Sequence, residues 1–463
     1  MRESIILIST PLETLPAGGF IRDARVLPYF SKSFKARGTS TVIYIPVNSV
    51  VSAIKLAIKG GSDINEAFEL VTKDLANNIG RSGVEAPLLE EALIESLPVL
   101  KWELNHENPS AKVVNKLLSF GNLYIYKIKS VEQRPLKGLI RYINSSFDKV
   151  LFAYSMNENI EHFISLTNLL RSLKLSGGIM IHEPLYTYSN ISLKELKSRL
   201  TVKIASFQLN TYLRNFFISV TETGLLKLIQ AISPASLLRS FDLFTLAHKY
   251  GVKVYIPRPA NALDKEVLEY RNLQERELVA VYFGRLSPDK GLYDLLYVWS
   301  RVERNLSKAK LLLIGSFISE KVRRSFNELK SRLNLRNVEY LGHIKDRKKL
   351  YELVAKAKVL IYPSHQDAFS LTVLEAVALG LLCVAYEIPA LRYVYKEVPS
   401  VTLVKEGDVE NMSRAVVKAL EASYDDYLKI QSSPKLLKFL ETYSSWKNVA
   451  MAELSNVLCF LRE

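Results

Sequence analysis

The stretch VAVYFGRLSPDKGLYDLLYVW (residues 279–299) decides the fold class of this chain. Its apolar start, VAVYFG (279–284), is typical of a buried strand, and a turn rich in Pro, Asp and Gly separates it from a segment of helical period. Leu295, Trp299 and Val302 fall on one face of that helix. The alternation predicts a parallel sheet covered by helices, which is a doubly wound α/β domain. Four further strand candidates continue it: KLLLIG (310–315), VEYLG (338–342), KVLIYPS (358–364) and CVAYE (383–387).

The first half of the chain begins in the same way as the second. The strand candidate IILIST (5–10) is followed by a predicted Gly-Gly turn at Gly18 and Gly19, and a helix through about Arg37 leads to the strand candidate TVIYIPV (41–47). We therefore expect a second Rossmann-like domain. Its further strand candidates are LYIYKIK (123–129), KVLFAY (149–154), GIMIHEP (178–184), KIASF (203–207) and FFISVTE (216–222).

The sequence also predicts where the two domains divide. The segment PRPAN (257–261) has the Pro-rich character of an interdomain linker. We therefore expect an N-terminal domain at 1–258 and a C-terminal domain at 259–435. A stretch of helical period at about 60–119 is predicted to be an insertion in the first domain.

The composition is that of a folded chain with a strongly basic surface. Of the 463 residues, 48% are apolar and 24% are charged, which excludes a disordered or fibrous protein. The net charge of +15 predicts attraction to a polyanion: nucleic acid, an acidic lipid surface or phosphorylated small molecules. There is no long Lys/Arg tract, so a nucleic-acid partner is not expected. The apolar run at the N-terminus is too short for a signal peptide, and a cytoplasmic protein is expected.

The motifs that are absent narrow the chemistry further. The sequence contains no G-x-G-x-x-G, no P-loop, no H-E-x-x-H and no G-x-S-x-G. It also lacks a D-x-D pair, the two carboxylates that a metal-bridged diphosphate site needs on one short loop. The sequence therefore predicts no metal and no cofactor, and any phosphate would be held by cations and backbone amides.

Two cations in the opening stretch form the first part of a candidate anion site. Arg285 and Lys290 follow a strand at its carboxyl end, where open α/β sheets bind ligands. Arg can bind phosphate with two hydrogen bonds, whereas Lys acts as a point charge. The alternative is that the two residues are surface cations that happen to flank a loop.

The segment SHQDAFSLTVLEAVALG (364–380) supplies the second part of the candidate site. Glu375 lies within an otherwise apolar helix, where an unpaired carboxylate would be costly, so it needs a partner such as an Arg or a sugar diol. Ser370 is the predicted N-cap, which points the first backbone amides at the same crevice. Asp367 precedes it in the loop. The alternative is that Glu375 pairs with an Arg from a neighbouring helix and that Asp367 has no special role.

The order of these elements resembles that of a known enzyme family. From strand through GRLSPDKG to helix, then LLLIG, VEYLGHI and VLIYPSHQDAFSLTVLEAVALG, residues 277–420 resemble the donor-binding domain of family 4 retaining glycosyltransferases. These have the GT-B fold: two Rossmann-like doubly wound domains that face each other across a cleft. The resemblance implies that the first domain binds the acceptor and the second a nucleotide-sugar. It also implies that residues 436–463 form a terminal helix packing back on the first domain.

The resemblance assigns roles to individual residues. Asp367 and Glu375 match the family's two acids eight positions apart, and Arg285 and Lys290 match its Arg/Lys pair. Glu375 would hold the ribose hydroxyls, the two cations the diphosphate, and Asp367 the transferred sugar as a catalytic residue. Further donor-binding positions are implied at Phe369, Ser370, Leu371, Gly18, Gly19 and Ile344. The first three would offer amides to the distal phosphate, the glycines would approach the diphosphate, and the isoleucine would pack against the base.

In the first half, His182 after the strand GIMI resembles the family's catalytic His element beside the transferred sugar, although a lone His is often structural.

The chain departs from the family at three points. Asp367 replaces a Glu, Ala368 and Ser370 stand where Gly is usual, and PRPAN replaces an Asn-Gly turn. An inactive or accessory relative is therefore an alternative.

The resemblance implies a retaining, metal-independent glycosyltransferase that moves a hexose-type sugar from a nucleotide-diphosphate sugar to a hydroxyl group. The acceptor is expected to be a saccharide or a lipid-linked saccharide. Basic, Leu-rich segments near 134–146 and 165–174 predict peripheral contact with an anionic membrane, at its cytoplasmic face. The alternatives are a GT-B protein without transfer activity, such as an epimerase or a silent subunit, and a nucleic-acid-binding protein explained by charge alone.

Overall fold

The computed structural model describes residues 4–9, 18–46, 58, 61–63, 65–67, 69–70, 117–120, 123–126, 148–156, 160–182, 220–238 and 248–462. Contacts divide the chain into two units. The first unit comprises Met1–Ile232, Ser236–Ala260 and Val449–Glu463, and the second comprises Ser233–Ala235 and Asn261–Asn448. Residues 436–448, which the sequence grouped with the terminal helix, therefore cluster with the second unit.

The first unit is built on an eight-stranded sheet in the order β3-β4-β2-β1-β5-β6-β7-β8. All neighbouring strands are parallel except β3 and β4. The strands are β1 (Ser4–Ser9), β2 (Thr39–Pro46), β3 (Leu117–Phe120), β4 (Leu123–Tyr126), β5 (Lys149–Ser155), β6 (Gly177–Ile181), β7 (Leu226–Ala231) and β8 (Lys253–Tyr255). The helices described up to residue 260 are α1 (Gly18–Lys35), α2 (Ile160–Leu173) and α3 (Pro234–Leu238).

Some predictions for the first half were wrong and others fall outside the described residues. Residues 220–222, the end of the strand candidate FFISVTE, are helical, and the strand next in the chain is β7, which the sequence analysis missed. The candidate at 203–207 and the segment 134–146 lie outside the described residues, as does most of the insertion.

The second unit contains a six-stranded sheet, in the order β11-β10-β9-β12-β13-β14, and every neighbouring pair is parallel. Its strands are β9 (Val279–Phe283), β10 (Lys310–Ile314), β11 (Val338–Gly342), β12 (Val359–Tyr362), β13 (Leu382–Tyr386) and β14 (Val401–Val404). Its helices are α4 (Leu292–Asn305), α5 (Glu320–Arg332), α6 (Arg347–Val354), α7 (Leu371–Ala378), α8 (Pro389–Tyr395), α9 (Val409–Glu421), α10 (Tyr424–Gln431) and α11 (Pro434–Tyr443). The last helix of the chain, α12, spans Trp446–Arg462. The doubly wound architecture predicted from the alternation is confirmed.

The sequence pattern explains how these helices cover the sheet. On α4 the predicted stripe of Leu295, Trp299 and Val302 is fully buried. Helix α6 begins where Asp346 accepts hydrogen bonds from the amides of Lys348 and Lys349, as expected for an N-cap. None of the helices in the described ranges has the length and apolar character needed to cross a bilayer.

Candidate active site

The strand order of the second unit places a crevice between β9 and β12. From β9 the chain continues to its neighbour β10 in one direction along the sheet. From β12 it continues to its neighbour β13 in the opposite direction. Neighbouring loops at such a switch point leave in opposite directions, and open α/β sheets bind ligands there, beyond the carboxyl ends of the strands. Arg285 and Lys290 follow β9, and Asp367 follows β12. The topology therefore brings the two predicted parts of the site to one edge.

Lys290 and Asp367 are in direct contact across this switch point. The Lys290 ammonium donates to Asp367 Oδ2 at 3.0 Å and to the Gln366 carbonyl at 2.7 Å. The two side chains retain 19% and 15% of their exposure, so the pair is largely but not completely buried. Because an ammonium has three N–H donors, these two contacts leave one for a further acceptor.

Asp367 is held by more than the lysine. The Tyr362 hydroxyl donates to Oδ2 at 2.5 Å, and the amides of Phe369 and Ser370 donate to Oδ1 at 3.2 and 2.9 Å. Burial alone would raise the pKa of Asp367, but the Lys290 charge and these hydrogen bonds outweigh it and lower the pKa. The carboxylate is therefore ionised at neutral pH.

These contacts change one expectation about the phosphate site. Two of the three amides predicted to face a phosphate, those of Phe369 and Ser370, are already used by Asp367. Leu371 is the first residue of α7, as the predicted cap position requires. The side chain of Asp367 thus occupies the place near the helix start that an anion would take.

The backbone of Ser370 has a conformation that favours glycine, the residue that the resemblance implies at this position. Its φ is 66°, in the left-handed region that glycine adopts most easily. Its hydroxyl accepts from the Val373 amide at 3.3 Å, which makes it the N-cap predicted from the sequence, and Tyr395 donates to its carbonyl at 2.7 Å. These two contacts support a conformation that is unfavourable for a residue with a side chain.

Arg285 lies on the exposed side of the same turn. Its side chain is 60% exposed, and its guanidinium donates to Asp289 at 2.9 Å. The backbone is fixed more firmly, because Tyr282 donates to the Arg285 carbonyl and Leu286 pairs with Phe317 in a parallel bridge. In the described part of the chain no hydrogen bond joins Arg285 to Lys290. The backbone of Arg285 is therefore anchored, whereas its guanidinium is open to solvent.

A close backbone contact sets the distance between the two loops. Gly291 has φ of 72°, and a Cβ atom added there would lie 1.8 Å from the Pro363 carbonyl oxygen. No side chain fits in that space. The turn after Lys290 therefore packs directly on the loop that carries Asp367.

Glu375 is paired with an arginine of a neighbouring helix, which is the alternative to ribose binding that the sequence left open. Arg347 and the Tyr351 hydroxyl, both on α6, donate to its Oε1, the latter at 3.2 Å. Burial raises the pKa of Glu375 despite these two donors. However, Arg347 is 59% exposed whereas Glu375 is 12% exposed, so the partner comes from the surface. Ile344 is half-buried in the loop between β11 and α6.

The predicted residues of the first unit lie near its own switch point, between β1 and β5. Gly18 and Gly19 are the first residues of α1, not a separate turn before it. His182 directly follows β6 and is buried. Its Nε2 lies 3.4 Å from Asp23 Oδ1, and burial together with the Arg22 charge lowers the pKa of His182 well below its ordinary value.

The sequence analysis missed a buried polar network in the first unit. Glu453 on α12 pairs with Arg22 on α1, and both side chains are completely buried. Arg22 also donates to the Ala260 carbonyl at 2.7 Å, and Tyr154 donates to Glu453 at 2.8 Å. The partners are more than 200 positions apart in the sequence, and no local signal connects them. The residues that the structure describes include no group of acids, histidines or cysteines arranged to hold a metal ion.

Comparison with solved structures defines the class of fold. The Anabaena protein HepE, solved in complex with UDP, superposes with a TM-score of 0.61 over 99% of this chain and 100% of its own, at 12% identity. An E. coli structure, described as trehalose-6-phosphate bound with UDP-2-fluoro glucose, gives 0.57 over 98% of each chain, also at 12% identity. Together with the two sheets, these likenesses show that the chain has the GT-B fold with two Rossmann-like units.

Sequence comparison then identifies the second unit. Residues 265–432 match the family model described as glycosyl transferases group 1. An uncharacterised glycosyltransferase of Methanocaldococcus jannaschii is 30% identical over 121 residues, which are 26% of this chain and 29% of that protein. Glycogen synthase of Mycobacterium tuberculosis is 29% identical over 111 residues, 24% of this chain and 26% of its own. The chain thus matches less than a third of the length of these curated relatives, and the matched part is similar to a glycosyltransferase group 1 domain.

Proposed function

We propose that this protein is a retaining, metal-independent glycosyltransferase that uses a nucleotide-diphosphate sugar. The observation that carries the proposal is the contact between Lys290 and Asp367 across the β9/β12 switch point. It supports a site in which a cation and a carboxylate act on neighbouring parts of one ligand. The group 1 match over this region and the UDP bound by HepE support a nucleotide donor.

In this proposal the diphosphate binds to cations of the chain. Lys290 keeps its hydrogen bond to the Gln366 carbonyl and turns from Asp367 toward a phosphate oxygen. The exposed Arg285 side chain swings from Asp289 to a second phosphate oxygen. Of the three amides at the start of α7, the one of Leu371, which Asp367 does not engage, adds a donor to the phosphate. These groups neutralise the charge that develops on the leaving diphosphate, which is the role a metal would otherwise have.

Asp367 then acts on the sugar. When phosphate draws Lys290 away, Asp367 Oδ2 keeps the Tyr362 hydroxyl and accepts a hydrogen bond from a sugar hydroxyl. Glu375 accepts hydrogen bonds from the ribose hydroxyls. Its exposed partner Arg347 moves away from it toward solvent to make room. Ile344 packs against the base. The bond between the sugar and the diphosphate breaks through an oxocarbenium-like state. The acceptor hydroxyl oxygen then bonds to the sugar with retention of configuration, and the departing phosphate helps to take up the hydroxyl proton.

On the first unit we propose that His182 faces the transferred sugar and that Gly18 and Gly19 approach the diphosphate. The lowered pKa of His182 makes it neutral near pH 7, so it can accept or donate one hydrogen bond. The acceptor is a saccharide or a lipid-linked saccharide. The net charge of +15 supports contact with an anionic membrane at its cytoplasmic face.

The experiment is a transfer assay in EDTA with a panel of nucleotide-sugars and of free and lipid-linked saccharide acceptors. Release of nucleoside diphosphate that depends on an acceptor is expected, and NMR should show the anomeric configuration of the donor in the product. Strict dependence on added metal, or an inverted product, would overturn the mechanism. Sedimentation with anionic liposomes at low salt tests the membrane contact separately.

A GT-B protein that binds a nucleotide-sugar without transferring it is the second candidate. The specific observation in its favour is that Asp367, which stands in place of a Glu, uses its carboxylate on the amides of Phe369 and Ser370. Nucleotide-sugar binding with neither transfer nor hydrolysis, across the whole acceptor panel, would select this candidate.

A further inference from the structure

A histidine that plays no part in the proposed chemistry lies between the two loops of the candidate site. His365 follows β12, two residues before Asp367, and its side chain is 35% exposed. Its backbone amide donates to the Asp289 carbonyl at 3.0 Å, in the turn that carries Lys290. The residue therefore belongs to one loop and is bonded to the other.

The imidazole of His365 is placed between two carboxylates. Its Nε2 lies 3.2 Å from Asp294 Oδ2, in the first turn of α4, and its Nδ1 lies 2.9 Å from Glu406 Oε1, after β14. Tyr386 at the end of β13 donates to Asp294 at 2.8 Å, and its ring packs 5.4 Å from the imidazole. The ring thus connects three segments that adjoin the site.

This geometry fixes the charge of the ring. A carboxylate can only accept a hydrogen bond, whereas a neutral imidazole carries one N–H and one bare nitrogen. Both contacts can be hydrogen bonds only when both nitrogens are protonated. A neutral ring would turn a lone pair toward Asp294 or Glu406 and lose that contact.

We propose that His365, as an imidazolium bridging Asp294 and Glu406, is a positioning residue that holds the Lys290 turn and the Asp367 loop in the arrangement that binds the donor diphosphate. This inference rests on the proposed function of the same site. His365 acts through the loops and touches no reacting atom. Nucleotide binding therefore depends on the protonation of a residue that does not itself contact the nucleotide.

The direction of the pH dependence follows from the surroundings of the ring. The hydrogen bonds and charges of Asp294 and Glu406 raise the pKa of His365, although burial opposes them. The groups that face it are all acids or phenols: Asp294 from α4, Glu406 from the loop after β14, Tyr386 from β13, and Asp408 beside Tyr386. Since the folded pKa is raised, the stabilisation is complete below the ordinary value of about 6.5 and is lost as pH rises through the folded pKa.

The test is isothermal titration of the full chain with UDP, GDP and ADP from about pH 5 to pH 9, for wild type and His365→Gln. Taking the ratio of the two affinities cancels the ionisation of the phosphates. We expect wild type to bind about tenfold more tightly at low pH and the two proteins to converge at high pH. His248→Gln, an exposed histidine of the first unit, is the matched control and should follow wild type.

A second variant separates positioning from general damage. In Glu406→Gln a neutral imidazole can donate to Asp294 and accept from the new amide. The ratio of its affinity to that of His365→Gln should therefore stay constant as pH rises. Equal affinities of wild type and His365→Gln at every pH would overturn the inference alone. If wild type binds none of the three nucleotides, the proposed function fails first. An NMR titration of His365 without ligand gives an independent result, since a pKa at or below about 6.5 would also overturn the bridge.

Discussion

Each of the two units contains a close pair of opposite charges, and the two pairs differ in their exposure to solvent. In the first unit Arg22 and Glu453 are both completely buried. Arg22 also donates a hydrogen bond to the Ala260 carbonyl, and Glu453 accepts one from the Tyr154 hydroxyl. In the second unit Lys290 and Asp367 retain 19% and 15% exposure, and Lys290 has one N–H to spare.

The difference teaches how to tell a structural ion pair from a ligand site. A pair that is completely buried is closed to a ligand from solvent, and its removal mainly affects folding. A partly exposed pair with spare donors at a switch point can exchange its internal contacts for those of a ligand. We expect mutations to divide along the same line.

The largest effect is expected in the first unit. Glu453→Ala leaves the Arg22 guanidinium buried without its carboxylate, which should lower the free energy of unfolding of this unit by about 3–5 kcal/mol. Urea denaturation followed by intrinsic fluorescence measures the change. Glu453→Gln keeps hydrogen-bonding groups and should lose less. A Glu453→Ala protein as stable as wild type would remove the contrast between the pairs.

The matching change in the second unit should affect binding and not folding. Lys290→Ala removes a charge-assisted hydrogen bond to the diphosphate, which should cost about 1.5–3 kcal/mol of nucleotide-sugar affinity. Asp367 keeps Tyr362 and two amides, so the melting temperature should change little. Lys308→Ala, at an exposed lysine of the same unit, should bind normally. Undiminished turnover in Lys290→Ala would contradict the site.

A comparison of Glu375 with Arg347 sharpens the distinction within the second unit. If Glu375 serves the ribose, Glu375→Ala should cost about 1.5–3 kcal/mol of nucleotide affinity, whereas loss of its exposed partner in Arg347→Ala should cost well under 1 kcal/mol. Competition binding with UDP and 2′,3′-dideoxy-UDP would locate the loss at the ribose, because these two ligands differ only in the ribose hydroxyls. Equal losses in both variants would mean that the pair acts as a structural unit.

The smallest expected effect concerns the contact between the two loops. Gly291→Ala forces a Cβ into the Pro363 carbonyl, whereas Gly407→Ala places one in open space at a similar φ of 79°. Both variants carry the cost of a left-handed residue, so the difference reports the steric clash. We expect Gly291→Ala to be about 1–2 kcal/mol less stable than Gly407→Ala and to bind nucleotide more weakly. Indistinguishable variants would mean that the loops are not held at this point.

Much of the second unit could be predicted because its signals are local. The strand VEYLG was predicted with its observed bounds, and Ser370 caps the helix expected from its position. Parallel strands bury both faces, so their apolar runs stand out in the sequence. In contrast, β7 was missed because the run LKLIQA includes Lys227 and Gln230. The buried Gln230 donates to Tyr154 and to the Glu453 carbonyl and accepts from Asn456, partners that are far away in the sequence.

The positions of Lys290 and Asp367 after neighbouring strands could be predicted, and so could an Arg partner for Glu375, but the further contacts of these side chains could not. Arg285, Lys290, Asp367 and Glu375 were identified by residue type and by position after strands. The use of the Phe369 and Ser370 amides by Asp367 depends on side-chain conformation, which no residue pattern encodes. The bridge of His365 to Asp294 and Glu406 joins residues 71 and 41 positions apart, and only the sheet order brings them together.

The central claim is that the ligand of this protein binds at the β9/β12 switch point and not at the buried pair of the first unit. Amide hydrogen exchange with and without saturating UDP, GDP or ADP tests it most directly. The account predicts slower exchange in residues 284–291 and 363–375 on binding, with no change around Glu453 on α12. Binding that leaves both of these segments unchanged, or that protects the helix around Glu453 instead, would contradict it.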